Sequence, residues 1–232
     1  MISVVIPAYN EEGSIGKTVN SIKARSNMDQ VKEIIVVDAG STDNTMKEAV
    51  AAGAKVIKSA EKGRAFQMNE GAAAATENVL HFIHADSILP PGFAAAIMKS
   101  IHEGYVCGCF RLAFDYPHWF LKFNCRFTRF DINTFRFGDQ SLFVTRDVFQ
   151  KSGAFRNDLF IMEDQEIIHR IKKYGKLKVI NAVIVTSAKK YISNGVFKMQ
   201  GIFYLIYIMY RLGFSQHGLL KTYKKLIIQN KI

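Results

Sequence analysis

The chain has 232 residues, of which 49% are hydrophobic, so it can form one domain with a sizeable core, with or without an appendage. Its three cysteines show no CxxC or Cys/His spacing, which disfavours a disulfide framework and structural zinc and predicts a reducing, cytoplasmic compartment. The net charge of +11 is unevenly distributed along the chain. Residues 1–115 contain 11 Lys+Arg and 13 Asp+Glu, whereas residues 116–232 contain 20 Lys+Arg and 7 Asp+Glu. Such asymmetry favours an anionic partner, such as a phosphorylated substrate, lipid headgroups or nucleic acid, over a basic face without a partner.

The first ninety residues alternate between strand and helix patterns. MISVVIPAYNEE has no basic start and predicts a first strand rather than a signal peptide. The predicted elements that follow are a helix over 11–25, a strand over 33–38, a turn over 40–43 with a helix after it through about Ala52, a strand over 55–58, a helix over 64–77 and a strand over 79–83. This alternation predicts βαβ units and a mostly parallel sheet.

Three of these strands end in polar or aromatic residues. The three segments are Pro7-Ala8-Tyr9-Asn10-Glu11, Asp38-Ala39-Gly40 and His84-Ala85-Asp86. A single polar strand end is explained by a turn or a helix cap that meets solvent. Three such ends at the carboxyl edge of a parallel sheet, where ligands bind, predict a site.

Two common nucleotide-binding motifs are absent from the sequence. No GxGxxG follows the first strand, and no GxxxxGK[ST] loop occurs. A dehydrogenase of the dinucleotide-binding class and a P-loop nucleotidase are therefore disfavoured.

Five segments, in this order and spacing, resemble the family-2 glycosyltransferases, which are inverting enzymes with the GT-A fold that use nucleotide-diphosphate sugars. The segments are VVIPAYNEEGSIGKTVNSI, EIIVVDAGSTDNT, GRAFQMNEGA, FIHADS and MEDQEI. The resemblance runs from Ile2 to about Gly195, and it implies a catalytic domain over 1–195 and a helical, basic and aromatic extension over 196–232. HADS, GDQSLFV and SAKKYISNGV together are similar to a small bacterial subgroup.

The resemblance implies a donor site along the sheet edge. Pro7, Ala8, Tyr9 and Glu11 match the segment around the base and ribose. Asp38 matches the acid that hydrogen-bonds a ring N–H of the base, which favours uridine. Further candidates follow from the same resemblance: Gly63, Arg64 at the base or phosphate, Asn69 more weakly, and Lys190 near the diphosphate. For Tyr9 and Arg64 the alternatives are a core aromatic residue and a surface helix residue.

The His84-Ala85-Asp86 segment stands where the family has Asp-x-Asp, whose last Asp contacts a divalent metal. Asp86 is a hard oxygen ligand suited to Mg²⁺ or Mn²⁺, and a metal neutralises charge on departing phosphates. Imidazole does not replace a carboxylate toward Mg²⁺. His84 is expected to contact the ribose or a phosphate, or to shift the metal preference of the site toward Mn²⁺.

Transfer to an acceptor hydroxyl also needs a base, and a carboxylate across the sugar from the leaving group suits this role. The family carries a Glu-Asp pair whose Asp is the base, which identifies Asp164 as the base and Glu163 as its support. The alternative is a simple helix N-cap, since a helix is predicted over 164–174. Asp139 and Gln140, before a strand over 141–144, are either sugar contacts or a turn.

The segment GIFYLIYIMY, residues 201–210, is too short to span a bilayer. Flanking lysines and arginines suit an interfacial helix at the inner face of a membrane, where a lipid-linked acceptor would be reached. Packing on the core and a contact in a homodimer are the alternatives. No nucleic-acid-binding motif is present, so no nucleic acid is expected.

The resulting prediction is a metal-assisted, inverting glycosyltransferase of unknown acceptor. A sugar-phosphate nucleotidyltransferase is one rival, but PAYNEE lacks the Gly-rich loop with Arg or Lys expected there. A non-catalytic nucleotide-sugar-binding module is the other, and the presence of Asp38, Asp86 and Asp164 argues against it.

Overall fold

The computed structural model describes residues 1–26, 29–132 and 140–228. Within these ranges one seven-stranded sheet has the order β3-β2-β1-β4-β6-β5-β7. The strands are β1 (Ile2–Ala8), β2 (Val31–Asp38), β3 (Lys55–Lys58), β4 (Val79–Phe82), β5 (Cys107–Phe114), β6 (Leu142–Thr145) and β7 (Leu177–Thr186). Strands β1 to β4 pair in parallel, β5 pairs in parallel with β7, and β6 is antiparallel to both β4 and β5.

Helices cover both faces of this sheet. They are α1 (Ile15–Arg25), α2 (Thr45–Ala51), α3 (Arg64–Ala74), α4 (Phe93–His102), α5 (Trp119–Cys125), α6 (Arg146–Lys151), α7 (Glu163–Ile171), α8 (Lys189–Asn194), α9 (Val196–Arg211) and α10 (Gln216–Leu226), with a 3₁₀ helix over Arg126–Arg129. The mostly parallel sheet flanked by helices is the predicted architecture. Strands β5 and β7 have no counterpart among the predicted elements.

Alternate side chains of the strands enter two cores, as the twofold period of a strand requires. Val4 and Ile6 pack with α1, α2 and α4 on one face, whereas Val5 packs with α3, α6 and α7 on the other. Helix α3 lies close to the sheet at Gly71, where an added Cβ would come within 2.3 Å of a Val5 methyl carbon. This close approach fixes the height of α3, and hence of Arg64 at its start, above the sheet edge.

A third core lies beneath the C-terminal helices. It joins Leu121 of α5, Tyr191 of α8, Ile202 and Ile206 of α9, and Leu219 of α10. The inner face of the predicted tail therefore packs on the domain. No helix in the described ranges is long and apolar enough to cross a membrane. The domain boundary after residue 195 stays a prediction.

Predicted helix ends differ from the structure by a few residues. The helix predicted over 11–25 begins at Ile15, because Glu11–Ser14 form a turn in which Ser14 N–H donates to the Glu11 carbonyl. The helices predicted over 64–77 and 164–174 end at Ala74 and Ile171. Helix ends fray and take their limits from tertiary contacts, which periodicity does not report.

Candidate active site

Two loops that follow β1 and β2 are joined at the carboxyl edge of the sheet. The register places Ala8 beside Asp38. The Asn10 N–H donates to Ser41 Oγ at 2.9 Å, and the Thr42 N–H donates to Asn10 Oδ1 at 2.9 Å. Asn10 adopts a left-handed backbone with φ +52°, and such conformations cluster at ligand sites. These hydrogen bonds tie the segment predicted to surround the nucleotide base to the loop after β2.

Asp38 is fully buried and its carboxylate supports its own turn. It accepts hydrogen bonds from the N–H groups of Gly40 (3.0 Å) and Ser41 (2.9 Å) and from the Ser41 hydroxyl. A carboxylate has about four lone-pair sites. The predicted hydrogen bond from a ring N–H of the nucleotide base would use a lone-pair site that these donors leave open.

Tyr9 is partly buried at the same edge, next to the partly buried Pro7 and Glu11. The Lys62 ammonium lies 5.2 Å from the centroid of the Tyr9 ring, within range of a cation–π interaction. Lys62 directly precedes Gly63, whose φ of +143° favours glycine and starts α3. The loop before α3 therefore bends over the segment predicted to hold the base.

Gln67 is a buried residue of α3 to which the sequence assigned no role. Its side-chain amide donates to the carbonyls of Ala8 (2.8 Å) and Val37 (2.7 Å), at the ends of β1 and β2. It lies one helical turn after Arg64, so both residues lie on one face of α3. This spacing is the feature of the sequence that could have identified Gln67 as a site residue. Gln67 ties α3 to the site edge.

Arg64, His84, Glu163 and Asp164 meet in one pocket beyond the end of β4. Apolar side chains form the rest of its wall: Met68, Phe82, Ile83, Leu142 and Phe155. The four polar residues come from α3, the loop after β4 and the start of α7, so the pocket brings together residues up to 100 positions apart. Asp38 and Asp86 lie outside this pocket.

Glu163 and Asp164, which we call the acid pair, begin α7. Arg64 Nη1 donates to Glu163 Oε1 at 3.3 Å, and the Glu163 side chain is only 4% exposed whereas that of Arg64 is 42% exposed. Met162 precedes the pair with a left-handed φ of +71°. The helix N-terminus stabilises negative charge, which favours keeping two carboxylates there.

Burial and the negative charge of Glu163 raise the pKa of Asp164 to about 6. Arg64, the backbone N–H of Gln165 and His84 act in the opposite direction and limit the increase in pKa. The Gln165 N–H donates to Asp164 Oδ1 at 2.8 Å. A carboxylate with such a pKa is ionised at neutral pH and is a stronger proton acceptor than an ordinary aspartate.

Asn69, the weaker candidate on α3, supports the chain before the acid pair. Its amide donates to the Phe155 carbonyl at 2.8 Å and to Asn157 Oδ1 at 2.9 Å, and its oxygen accepts from the Phe155 N–H at 3.0 Å. Asn69 thus has a structural partner on the loop that leads to α7.

Asp86 is partly buried beside the end of β7. The Thr186 hydroxyl lies 3.4 Å from Asp86 Oδ1, and the Thr18 hydroxyl donates to the carbonyl of buried Ala85 at 2.7 Å. Helix α8 starts three residues after Thr186 and carries Lys190, which is exposed. Thr186 was not predicted, because its strand was not predicted.

The described residues contain no group of three or more His, Cys, Asp or Glu side chains that could hold a metal. Mg²⁺ is commonly bound by one or two carboxylates together with substrate phosphates and waters. Asp86 fits this mode, with the hydroxyl of Thr186 next to it. Asp139 lies outside the described residues, and Gln140 is buried and donates to the Phe110 carbonyl at 3.0 Å.

The greater part of the chain matches a known protein family. Residues 3–161 match the family described as Glycosyl transferase family 2.

Curated relatives cover part of the chain. Glucosyl-3-phosphoglycerate synthase of Mycolicibacterium smegmatis is 39% identical over 97 residues, which are 38% of this chain and 32% of that protein. The undecaprenyl-phosphate 4-deoxy-4-formamido-L-arabinose transferase of Proteus mirabilis is 30% identical over 129 residues, 52% of this chain and 40% of that protein. The matches thus span only 32% and 40% of the length of these two relatives.

Solved structures share the fold. A mannosyltransferase of Pyrobaculum calidifontis in complex with GDP-Man and Mn²⁺ has a TM-score of 0.70 at 19% identity, over 88% of this chain and 61% of that chain. Glucosyl-3-phosphoglycerate synthase of Mycobacterium tuberculosis, in complex with Mn²⁺, UDP and glucosyl-3-phosphoglycerate, has a TM-score of 0.57 at 21% identity, over 81% and 70%. These neighbours confirm the predicted GT-A-like fold.

Proposed function

Because the chain belongs to glycosyl transferase family 2, we propose that it transfers a sugar from a nucleotide-diphosphate sugar, with UDP favoured, to an acceptor hydroxyl with inversion. The family membership confirms the identification made from the sequence motifs. The observation that carries the proposed chemistry is the pocket in which Arg64 and His84 face the acid pair.

Asp164 is the proposed base. Its carboxylate takes the proton of the acceptor hydroxyl while the acceptor oxygen bonds to the anomeric carbon and the bond from that carbon to the phosphate oxygen breaks. The nucleotide diphosphate leaves on the opposite face, which inverts the configuration. The pKa of about 6 suits this role, because the carboxylate is ionised at neutral pH and still basic enough to accept a proton.

Glu163 and Arg64 are proposed to set the state of that base. The Glu163 carboxylate, paired with Arg64 at 3.3 Å, raises the pKa of Asp164, and the guanidinium of Arg64 lowers it. Since the Arg64 side chain is 42% exposed, the same guanidinium is proposed to bind donor phosphates as well. His84, in the pocket wall, is proposed to contact the ribose or a phosphate.

A divalent ion is the proposed cofactor, held by Asp86 together with the donor. When bound, Mg²⁺ or Mn²⁺ supplies positive charge that neutralises the departing diphosphate. Structural neighbours of this chain bind Mn²⁺ with GDP-Man and Mg²⁺ with UDP. Asp38, Tyr9, Pro7, Ala8 and Glu11 are proposed to hold the base and ribose at the joined loops, and Lys190 to approach the diphosphate.

The acceptor we propose is lipid-linked and reached from the cytoplasmic side of a membrane. The Proteus mirabilis relative is named for undecaprenyl phosphate, whereas the Mycolicibacterium smegmatis relative is named for a phosphoglycerate. The excess of basic residues after residue 115 suits either phosphorylated acceptor. The exposed apolar side chains of the C-terminal helices favour the lipid.

The proposal is tested first with donors. Thermal unfolding is followed with UDP-sugars, GDP-sugars and sugar phosphates, each with Mn²⁺ or Mg²⁺, because a ligand that binds the native state raises its apparent stability. A UDP-sugar with a divalent ion is expected to give the largest rise in midpoint. If instead the midpoint rises only when a sugar phosphate and a nucleoside triphosphate are added together, and not with any nucleotide sugar, the protein would be a nucleotidyltransferase. Absence of any nucleotide response would contradict the proposed function.

A further inference from the structure

Helix α9 is apolar on the side that faces away from the domain as well as on the side that faces inward. Its buried positions include Met199, Ile202 and Ile206. Its exposed positions include Phe197, Leu205 and Ile208, and with Leu212, which directly follows the helix, their spacing places them on one outer stripe. A surface helix normally presents polar side chains to water, and a helix that is apolar all round is expected to be buried on every side.

The outer stripe continues onto α5. Trp119 of α5 is 66% exposed and Phe123 is 55% exposed. The ring of Phe197 lies 6.1 Å from that of Trp119 and 4.8 Å from that of Phe120, centroid to centroid, so the two helices form one surface. We call this surface the apolar face; it consists of Trp119, Phe123, Phe197, Leu205, Ile208 and Leu212.

Exposed basic residues lie on the helices that carry the apolar face and on the neighbouring 3₁₀ helix and α10. Exposed Lys198 follows Phe197 and exposed Arg211 precedes Leu212, so one cation adjoins each end of the outer stripe in the sequence. The other exposed cations are on α5, the 3₁₀ helix and α10: Lys122, Arg126, Arg129, Lys221, Lys224 and Lys225. The sequence contains no acidic residue after Glu166, so neither α9 nor α10 neutralises this charge.

The turn between α9 and α10 lies beside the segment that leads to the acid pair. Gln216, at the start of α10, accepts hydrogen bonds from the N–H groups of Phe160 (3.1 Å) and Ile161 (3.2 Å), just before the acid pair. Tyr210, in the last turn of α9, is close enough to Glu166 and Asp164 for their charges, together with burial, to raise its pKa. The α9–α10 turn is therefore attached to the segment that positions the proposed base.

We propose that the apolar face docks on an anionic lipid bilayer, with its apolar side chains in the headgroup region and the exposed lysines and arginines of these helices at the lipid phosphates. Basic residues contact anionic lipid and aromatic or aliphatic side chains insert at this depth in interfacial helices. The α9–α10 turn, to which the segment before the acid pair is hydrogen-bonded, is then held close to the bilayer. Delivery of a lipid-linked acceptor there rests on the glycosyltransferase function proposed above, whereas docking itself does not.

Binding to vesicles tests the docking. The protein is mixed with vesicles of phosphatidylglycerol and phosphatidylcholine, or of phosphatidylcholine alone, and co-sedimentation is measured at low and high salt. Binding is expected to the anionic vesicles at low salt and to fall at high salt, because screening weakens the attraction. Binding to neither kind of vesicle would overturn the proposal.

Two variants separate the apolar and the ionic contributions. Leu205→Gln/Ile208→Gln changes exposed residues and is expected to weaken vesicle binding by about tenfold or more. Val50→Gln, at a side chain 60% exposed on α2, is the matched control and should bind as the wild type does.

Lys221→Gln/Lys224→Gln/Lys225→Gln tests the ionic contribution and should weaken vesicle binding on the order of 100-fold. The control Lys17→Gln/Lys32→Gln/Lys47→Gln removes the same charge elsewhere and should cause no comparable loss. Equal effects of test and control variants would overturn the assignment of the face.

A second copy of the chain is the competing occupant. Light scattering of the wild type and of Leu205→Gln/Ile208→Gln distinguishes it, since a dimer that dissociates in the variant, without vesicle binding by either protein, would replace docking by self-association. Calorimetry with UDP and Mn²⁺ on the same samples separates the two proposals. Vesicle binding without UDP binding would contradict the proposed function and support docking. UDP binding without vesicle binding would contradict docking and support the proposed function.

Discussion

The joined loops after β1 and β2 and the acid pair hold carboxylates in opposite ways. Asp38 is fully buried, yet three donors of its own turn contact its oxygens. Asp164 has one such backbone donor, from Gln165, and a second carboxylate next to it. The first arrangement satisfies negative charge and fixes a shape, as a binding surface requires. The second leaves the carboxylate with raised basicity, as proton transfer requires.

The largest effect is expected at the base. Asp164→Asn keeps size and hydrogen bonding but accepts no proton, so turnover should fall by roughly 10²-fold or more while donor affinity stays near that of the wild type. Steady-state kinetics and calorimetry with UDP measure the two quantities. Asp147→Asn, an exposed aspartate on α6, is the control. Near-normal turnover of Asp164→Asn would remove Asp164 from this role.

In the loop after β4, in contrast to the acid pair, the loss should be in binding. Asp86→Ala is expected to weaken Mn²⁺-dependent UDP binding by about 10–100-fold, with little effect on UDP binding in a chelator. Thr186→Val, which removes the hydroxyl 3.4 Å away, should cause a smaller loss of the same kind. Calorimetry with and without Mn²⁺ measures both. An unchanged metal dependence in Asp86→Ala would exclude this carboxylate as a ligand.

The pH dependence of turnover sharpens the comparison further. Since the pKa of Asp164 is raised to about 6, turnover should fall about tenfold for each pH unit below that value and level off above it. Arg64→Met removes a positive charge that favours the carboxylate and should move the profile to higher pH. Glu163→Gln removes a negative charge and should move it to lower pH. Shifts in the same direction for both variants would contradict the electrostatic arrangement.

The smallest effect is on stability. The pKa of Asp164 is raised above its unfolded value, so the folded state binds more protons between about pH 4 and pH 6, and stability falls as pH rises through that window. Asp164→Asn should therefore be more stable than the wild type at neutral pH and about equal to it near pH 4. Urea unfolding at both pH values measures the difference. A variant less stable at neutral pH would show that the carboxylate stabilises the fold.

Residues near each other in the sequence were predictable. The runs ending at Ala8, Asp38 and Phe82 indicated parallel strands, and the rule that ligands bind at their carboxyl ends placed Tyr9, Asp38 and His84 at one edge. The motifs identified the family, which the match over residues 3–161 confirms. The roles of the individual residues stay predictions.

The contacts between distant segments were decided by the tertiary structure. The pairing of Arg64 with Glu163, the hydrogen bonds of Gln67 across two strand ends and the position of Thr186 beside Asp86 join residues about 30 to 100 positions apart. Hydrophobic periodicity carries no information about which distant side chains meet, because it reports only the face on which a residue lies. The raised pKa of Asp164 has one cause of each kind. The charge of the neighbouring Glu163 can be read from the sequence, whereas the burial of Asp164 arises only when α7 packs against the sheet.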